Sequence, residues 1–288
     1  MSRRVHLEDV LGPFIKREGQ EEKFVCLNCN CKCLHVNKEK GLFHCLSCGI
    51  SGRLIDDELA DIRIEKPNPK KILRGKDFSY WLDVTGMNTS WRFVGRKNFS
   101  LERCTKESLK LCGGDYFLKG ICVPLVLDEE LCGVHCYTPE YPYSRKYFTQ
   151  GERGFAKIST NQYDLFHIFL FEGLFDFLNF DNFLRTTKIL PIGYTLLMSC
   201  GSFLSQEQIY YLSNISQSDS TIYICFDNDK ITPVTKAYQQ IRTLIGCNTK
   251  ILIPPRQKNC KDWDELLTQV PLGIDVATQI VKSALVIE

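Results

Sequence analysis

The sequence predicts an α/β protein in three parts: a small cysteine-bound N-terminal module, a basic mixed α+β middle, and a C-terminal α/β unit with a mainly parallel sheet. Three observations carry this. Paired CxxC elements occupy the first sixty residues. Two short apolar runs, Ile168–Phe171 and Ile222–Phe226, each lead directly into carboxylates, at Glu172-Gly173-Leu174-Phe175-Asp176 and at Asp227-Asn228-Asp229. From residue 168 onward, strand-like runs alternate with helical segments, the pattern of a parallel sheet covered by helices. The division falls at 1–60, a linker at 61–76, 77–160, 161–270 and a final helix within 271–288.

In the N-terminal module Cys26-x2-Cys29 is followed by fifteen residues and then Cys45-x2-Cys48. Two knuckles at this spacing are a zinc-ribbon signature, and four thiolates satisfy tetrahedral Zn²⁺. Cys31, Cys33, His35 and His44 are further candidate ligands. The first four are favoured because each pair forms a proper CxxC, whereas Cys31 and Cys33 are offset by two. Leu34–Asn37 and Gly41–His44 flank the turn Lys38-Glu39-Lys40 and predict a hairpin carrying the second knuckle. So polar a segment has little core, so one structural zinc would supply much of its folding energy. Pro67 and Pro69 among charged residues then mark the linker.

Residues 66–110 hold eleven Lys/Arg against four Asp/Glu, while residues 161–288 hold ten against thirteen. A basic middle beside an acidic half suits a protein that holds a polyanion in one place and metal ions in another. Helical patches are expected over 77–110. There Trp81, Trp91, Phe93 and Phe99 lie among Arg92, Arg96, Lys97 and Arg103; such residues stack bases and neutralise phosphates, or serve as core. Ile121–Leu127, the turn Asp128-Glu129-Glu130 and Leu131–Tyr137 predict a second hairpin. Arg145 and Lys146 follow where a loop leaves this sheet, just before Tyr147.

In the acidic half the expected elements are strand Ile168–Phe171, helix Leu174–Leu184 with Asp176 in its first turn, and strand-like runs Lys188–Ile192 and Thr195–Ser199. A helix opens at Ser205, where Ser205-Gln206-Glu207-Gln208 is a capping signal. Strand Ile222–Phe226, helix Val234–Leu244, strand Lys250–Ile253, a helix from Glu265 and a helix Ile274–Val286 complete the chain. Ligands of open α/β sheets bind at the carboxyl ends of the strands. This puts Glu172, Asp227 and Asp229 at one sheet edge. Asp and Asn after a strand also serve as turn residues and helix caps, but two such ends in one sheet point to a site. Clustered carboxylates repel unless a cation neutralises them, and hard oxygen donors suit Mg²⁺ with substrate phosphates. Phosphoryl transfer uses that arrangement.

Composition narrows the classes. The chain has 288 residues, 44% of them hydrophobic, and no run of eighteen apolar residues, so no membrane span is expected. Met1-Ser2-Arg3-Arg4 leads into polar residues, unlike a secretory signal. Fifteen cysteines without a signal favour a reduced cytoplasmic setting with metal-bound thiolates over a disulfide framework. No Gly-x4-Gly-Lys-Ser/Thr loop occurs, so no fused helicase motor is expected.

Taken together, the motifs resemble bacterial- and phage-type DNA primases. The module Cys26–Cys48, with Leu-Phe-His-Cys-Leu-Ser-Cys-Gly-Ile-Ser-Gly at 42–52, is similar to the primase zinc-binding domain. The 121–137 hairpin followed by Lys146-Tyr147 resembles the basic subdomain of the primase RNA-polymerase core. The Glu172–Asp176 and Asp227–Asp229 segments resemble the two acidic motifs of the TOPRIM fold; Cys200-Gly201-Ser202 resembles the segment between them, and Lys261-Asp262 a later element.

The resemblance implies a zinc-ribbon domain that helps to read the template, and a primase core of basic and TOPRIM subdomains. It implies Glu172 as a metal-adjacent acid or general base, Asp227 and Asp229 as Mg²⁺ or Mn²⁺ ligands, and Asp176 in support. Arg96, Arg145, Lys146, Tyr147 and Lys261 would contact nucleotide or DNA. Single-stranded DNA template, ribonucleoside triphosphates and a separate replicative helicase would be partners, in the bacterial host cytoplasm if the source is a phage. Rival readings are a TOPRIM nuclease and a catalytically degenerate zinc-ribbon DNA-binding protein. The sequence departs from the family in three places. Lys230-Ile231-Thr232-Pro233 replaces a glycine-bearing loop after Asp229, Thr149 stands where asparagine is common, and no arginine ends the hairpin, where His135, Tyr137 and Arg145 are imperfect substitutes.

Overall fold

The computed structural model describes residues 2–27, 31–46, 50–56, 59–63, 105–117, 120–137, 147–160, 166–190, 193–229, 231–256 and 260–285. Cys29, Cys48, the linker from residue 64, the aromatic-basic segment with Arg96, and the Arg145-Lys146 pair lie outside these residues.

Seven antiparallel strands build the N-terminal sheet: β1 (Ser2–His6), β2 (Leu11–Glu18), β3 (Glu21–Cys26), β4 (Leu34–Asn37), β5 (Leu42–Cys45), β6 (Ser51–Leu54) and β7 (Leu59–Arg63), ordered β1-β7-β6-β5-β4-β3-β2. The expected hairpin is β4–β5. Alternation sets its faces: Leu34, Val36, Phe43 and Cys45 are buried, while His35 pairs with His44 on the opposite side. Gly52 lets β6 pack closely, since a Cβ there would lie 2.3 Å from the Asp61 carbonyl and 2.6 Å from the Phe43 ring. The module runs three residues beyond the expected boundary at 60, because β7 stays paired to β1 and β6 through Arg63.

Helix α1 (Thr105–Leu111) precedes a four-stranded antiparallel sheet of β8 (Asp115–Phe117), β9 (Gly120–Leu127), β10 (Glu130–Tyr137) and β11 (Tyr147–Gly151), ordered β11-β10-β9-β8. The β9–β10 turn places both Asp128 and Glu129 at positive φ, 51° and 62°. Such two-residue turns match strand twist but usually take Gly or Asn. Here Glu129 is held by Lys157 Nζ at 2.6 Å and by the Tyr211 hydroxyl at 3.0 Å. Within this sheet Cys122 and Cys136 form a disulfide. The register pairs them directly across β9 and β10 with Cα atoms 4.2 Å apart, so the hairpin itself brings the thiols together.

The C-terminal sheet contains β12 (Ala156–Ser159), β13 (His167–Phe171), β14 (Tyr194–Met198), β15 (Thr221–Ile224) and β16 (Asn248–Ile251), ordered β12-β14-β13-β15-β16. All pairs are parallel except edge strand β12. Helices α2 (Leu174–Thr187), α3 (Gln206–Ile215), α4 (Ile231–Gln240, continuing as a π turn to Ile245), α5 (Trp263–Gln269) and α6 (Gly273–Leu285) connect and cover it. No strand forms over Lys188–Leu190. Helix α2 continues past Leu184, its expected end, and Lys188 closes it in the left-handed region. Ser205 caps α3 in a full capping box, as the sequence predicts. Phe169 stacks on Tyr223, and Phe180 packs against Phe169, Phe171 and Trp263, joining sheet, α2 and α5 in one core.

A buried polar node ties α1 to this core. Asp181 is fully buried and accepts from Ser108 Oγ (2.6 Å), Arg185 Nε (2.8 Å) and the Tyr194 hydroxyl (2.9 Å). Asp181→Ala would strand the tyrosine hydroxyl and half the guanidinium. A loss of roughly 3–5 kcal/mol in denaturant unfolding is expected, as for other broken buried pairs. A loss below about 1 kcal/mol, the surface range, would show that the node is not structural.

No helix among the described residues is long and apolar enough to cross a membrane.

Candidate active site

Strands β13 and β15 lie side by side, and their following connections leave in opposite directions, β13 toward β14 and β15 toward β16. This is the topological switch point at which open α/β sheets bind ligands. Glu172 follows β13 and Asp227 follows β15, so the register places both carboxylates on the same edge. A cleft of about 340 Å³ opens there, lined by Glu172, Gly173, Asp176, Asp227, Lys261, Asp262 and Asp264 together with His135, Tyr147 and Cys200.

Each group is positioned by local chemistry. Gly173 begins α2 without a side chain of its own, and a Cβ there would lie 2.6 Å from Asp176 Oδ2. The glycine therefore makes room for the Asp176 carboxylate to fold back over the helix N-terminus, where the helix dipole favours negative charge. Asp176 Oδ1 also accepts from the Asp264 backbone N–H at 2.9 Å. Burial nevertheless raises the Asp176 pKa well above the usual carboxylate value, and the charges of Asp262 and Asp227 add to the rise. Glu172 Oε1 accepts from Ser202 Oγ at 2.8 Å. The loop bearing Ser202 is itself anchored, because the Ser199 hydroxyl is shared between the Phe171 and Gly201 carbonyls and Gln208 Nε2 donates to the Ser199 carbonyl.

The opposite wall comes from the segment before α5. Asp262 caps α5 by accepting from the Glu265 N–H at 2.8 Å. Asn179 Nδ2 donates to Asp264 Oδ1 at 2.8 Å, and buried Trp263 locks the segment through its ring contact with Phe180. Lys261 Nζ lies 3.7 Å from Asp262 Oδ2 with its side chain half exposed, a weak surface pair that leaves the ammonium at the cleft. From the second sheet, His135 is buried, with Nδ1 2.9 Å from Thr149 Oγ1 and its ring stacked near Tyr147. Burial lowers its pKa to about 4, so it is neutral at physiological pH.

The structure thus gathers four expected residues, Glu172, Asp176, Asp227 and Lys261, with Tyr147 on the rim. Asp229 is exposed and does not line the cleft. Asp262 and Asp264 line it instead. Sequence reading noted Lys261-Asp262 but assigned these carboxylates no role; their signal was the Asp-x-Asp spacing just before a helix.

The donor set tests what the cleft could hold. Glu172, Asp176, Asp227, Asp262 and Asp264 are all hard oxygen donors, and burial, with the Asp262 and Asp227 charges, raises the Asp176 pKa. Hard oxygen donors are the ligand type that Mg²⁺ and Mn²⁺ take. In the N-terminal module Cys26 and Cys45 are fully buried; the Cys26 N–H donates to the Cys31 carbonyl and the Cys45 N–H to the Ile50 carbonyl. Thiols are the donor type that structural zinc takes. Cys33 Sγ lies 3.6 Å from Cys45 Sγ, so it stays a competing ligand. Among the described residues, no three His, Cys, Asp or Glu side chains form a ready metal cluster.

Residues 169–267 match a family described as Toprim-like, and this stretch contains every acidic residue of the cleft. The match bears out the resemblance at the acidic half. Among solved structures, the chain is similar to the Aquifex aeolicus primase (zinc-binding and RNA polymerase domains), with 15% identity and a TM-score of 0.43 over 94% of this chain and 80% of that one. No curated protein matches the sequence.

Proposed function

We propose that this chain is a DNA primase, a nucleotidyltransferase that makes short RNA primers on single-stranded DNA. The observation that carries the reading is the meeting of Glu172, Asp176, Asp227 and the Lys261–Asp264 segment at the β13/β15 switch point within a Toprim-like stretch. A second antiparallel sheet supports it by bringing His135 and Tyr147 to the same cleft.

In this reading Glu172 and Asp227, with Asp262 and Asp264 beside them, hold divalent metal, and Asp176 supports them. Mg²⁺ or Mn²⁺, when bound, offsets the carboxylate repulsion and stabilises developing charge on the phosphates. Glu172, oriented by Ser202, accepts the proton of the primer 3′-hydroxyl as its oxygen bonds to the α-phosphate of a ribonucleoside triphosphate and the bond from that phosphorus to the β-phosphate bridge breaks, releasing pyrophosphate. Lys261 draws the triphosphate to the cleft, and Tyr147 offers a ring to a base. Neutral His135 adds a hydrogen-bonding group without a second cation. Asp229 keeps an outer role, since it is exposed. Arg96, Arg145 and Lys146, outside the described residues, are assigned to phosphates along a basic region spanning 66–150. Cys26, Cys29, Cys45 and Cys48 are assigned to one structural zinc in a module that helps to read the template. A separate helicase and a bacterial cytoplasm complete the proposal.

The test incubates the protein with single-stranded DNA, labelled ribonucleotides and Mg²⁺ or Mn²⁺. Short RNA products that disappear in Asp227→Ala support the reading. Strand cleavage without synthesis identifies a nuclease using the same carboxylates. DNA binding with neither activity identifies a degenerate scaffold.

A further inference from the structure

The loop after β15 lacks the glycine found in the resembled family, yet it is tightly held at its centre. Asn228 is 5% exposed, and its polar groups reach two other segments. Its N–H donates to the Lys261 carbonyl at 2.8 Å. Its Nδ2 donates to the Cys260 carbonyl at 2.7 Å and to the Pro254 carbonyl at 3.2 Å, using both amide hydrogens. Its own carbonyl accepts from Arg256 Nη2 at 2.8 Å and Nε at 3.2 Å. Asn228 therefore bridges the residues just after β16 to those just before α5.

This connection joins the two halves of the acidic cleft. Asp227 precedes Asn228, and Asp262 follows Lys261, so the Asn228–Lys261 hydrogen bond sets one carboxylate against the other. Left alone, those segments would repel. Aspartate at 228 would lose both amide donors and add a charge beside Asp227, so the neutral amide is the chemistry the position requires. Arg256 fixes the next peptide, between Asn228 and Asp229, and sets a cation next to the carboxylate-bearing loop.

We infer that Asn228, braced by Arg256, is a positioning residue that holds Asp227 and the Asp262 segment at the separation a divalent cation needs. The inference rests on reading the cleft as a metal site. Residues that orient metal ligands typically change affinity by about 10–100-fold when removed.

The test measures Mn²⁺ binding by the free-ion electron paramagnetic resonance signal, with no nucleotide or DNA present, in the full chain, Asn228→Ala, Arg256→Gln and Asp227→Ala. Thermal melts of each run alongside. The expected result is a Mn²⁺ dissociation constant raised about 10-fold or more in Asn228→Ala, and raised less in Arg256→Gln. In activity assays, loss at low Mg²⁺ should recover as Mg²⁺ rises, with the nucleotide KM little changed. A purely structural role would lower the melting midpoint and leave Mn²⁺ affinity of the folded protein within about twofold of the parent, outside the range for ligand-orienting residues, which overturns the inference. Should Asn228→Ala fail to fold, Arg256→Gln decides by the same criterion. If Asp227→Ala weakens Mn²⁺ binding while the other two do not, only the positioning role falls. If the parent holds no Mn²⁺, or Asp227→Ala binds as tightly as the parent, the metal reading falls and takes the inference with it.

Discussion

Asp176→Asn is expected to melt at a higher temperature than the parent when both are free of divalent metal, and to lose most of its metal-dependent activity. Burial and the neighbouring Asp262 and Asp227 charges push the Asp176 carboxyl well above its ordinary value of 3.8. A raised folded-state pKa means that the native protein binds this proton more tightly than the unfolded chain. The stability linked to that proton is present below the unfolded pKa and lost as pH rises through the folded one. At neutral pH the group is therefore a cost. Asparagine removes the charge and keeps an Oδ1 acceptor for the Asp264 N–H, which the aspartate uses at 2.9 Å. A gain of about 1–2 kcal/mol is the usual scale for relieving such a site. In a chain of this size that is roughly 2–8 °C. The gain should shrink as pH falls toward the ordinary carboxylate range. Saturating Mg²⁺ should reverse the order of the melts, because a cation bound by its neighbours offsets the Asp176 charge in the parent and stabilises its native state. Activity should fall by about 10–100-fold, the scale for disturbing a metal's supporting residues. Identical metal-free melts across pH 4–8 would show that Asp176 carries no electrostatic cost.

If the N-terminal module holds the proposed zinc, removing it is expected to unfold strands β3 to β7 and leave the five-stranded sheet intact. Structural zinc contributes apparent binding energies of about 10–16 kcal/mol in small modules, and that binding energy is folding energy. Cys26 and Cys45 are both fully buried, where stripped thiolates would be left without their countercharge. The check is hydrogen exchange after chelation, with about one zinc per chain lost by metal analysis. Amides of β3 to β7 should become unprotected while those of β13 and β15 stay slow. Protection in β3 to β7 that survives verified zinc loss would remove the metal from the folding account. Cys33→Ser, run in parallel, separates the ligand sets, since Cys33 Sγ stands 3.6 Å from Cys45 Sγ.

Much of this architecture was legible from local patterns. The runs before Glu172 and Asp227 were short, apolar and bounded by turn residues, and they form adjacent parallel strands. The Ser205 capping box and the Asp128-Glu129 turn were visible because their signals lie within a few residues. The Lys188–Ile192 run misled because the helix before it continued; a helix end depends on what its last turn packs against. The Cys122–Cys136 bond was hidden because its signal is a hairpin register.

The site divides in the same way. Sequence alone determined that carboxylates stand at strand ends on one sheet edge, since short apolar runs and the polar residues that end them are local signals. It also determined that Asp176 stands in the first turn of the helix that follows Glu172. Only the tertiary structure decided which acids meet. Asp229, one residue beyond Asn228, turns to solvent, while Asp262 and Asp264 arrive from more than thirty residues downstream in the sequence. The reason is physical: hydrogen bonds such as those of Asn228 to Pro254, Cys260 and Lys261 exist only once distant backbone carbonyls have been brought together, and no local pattern encodes them.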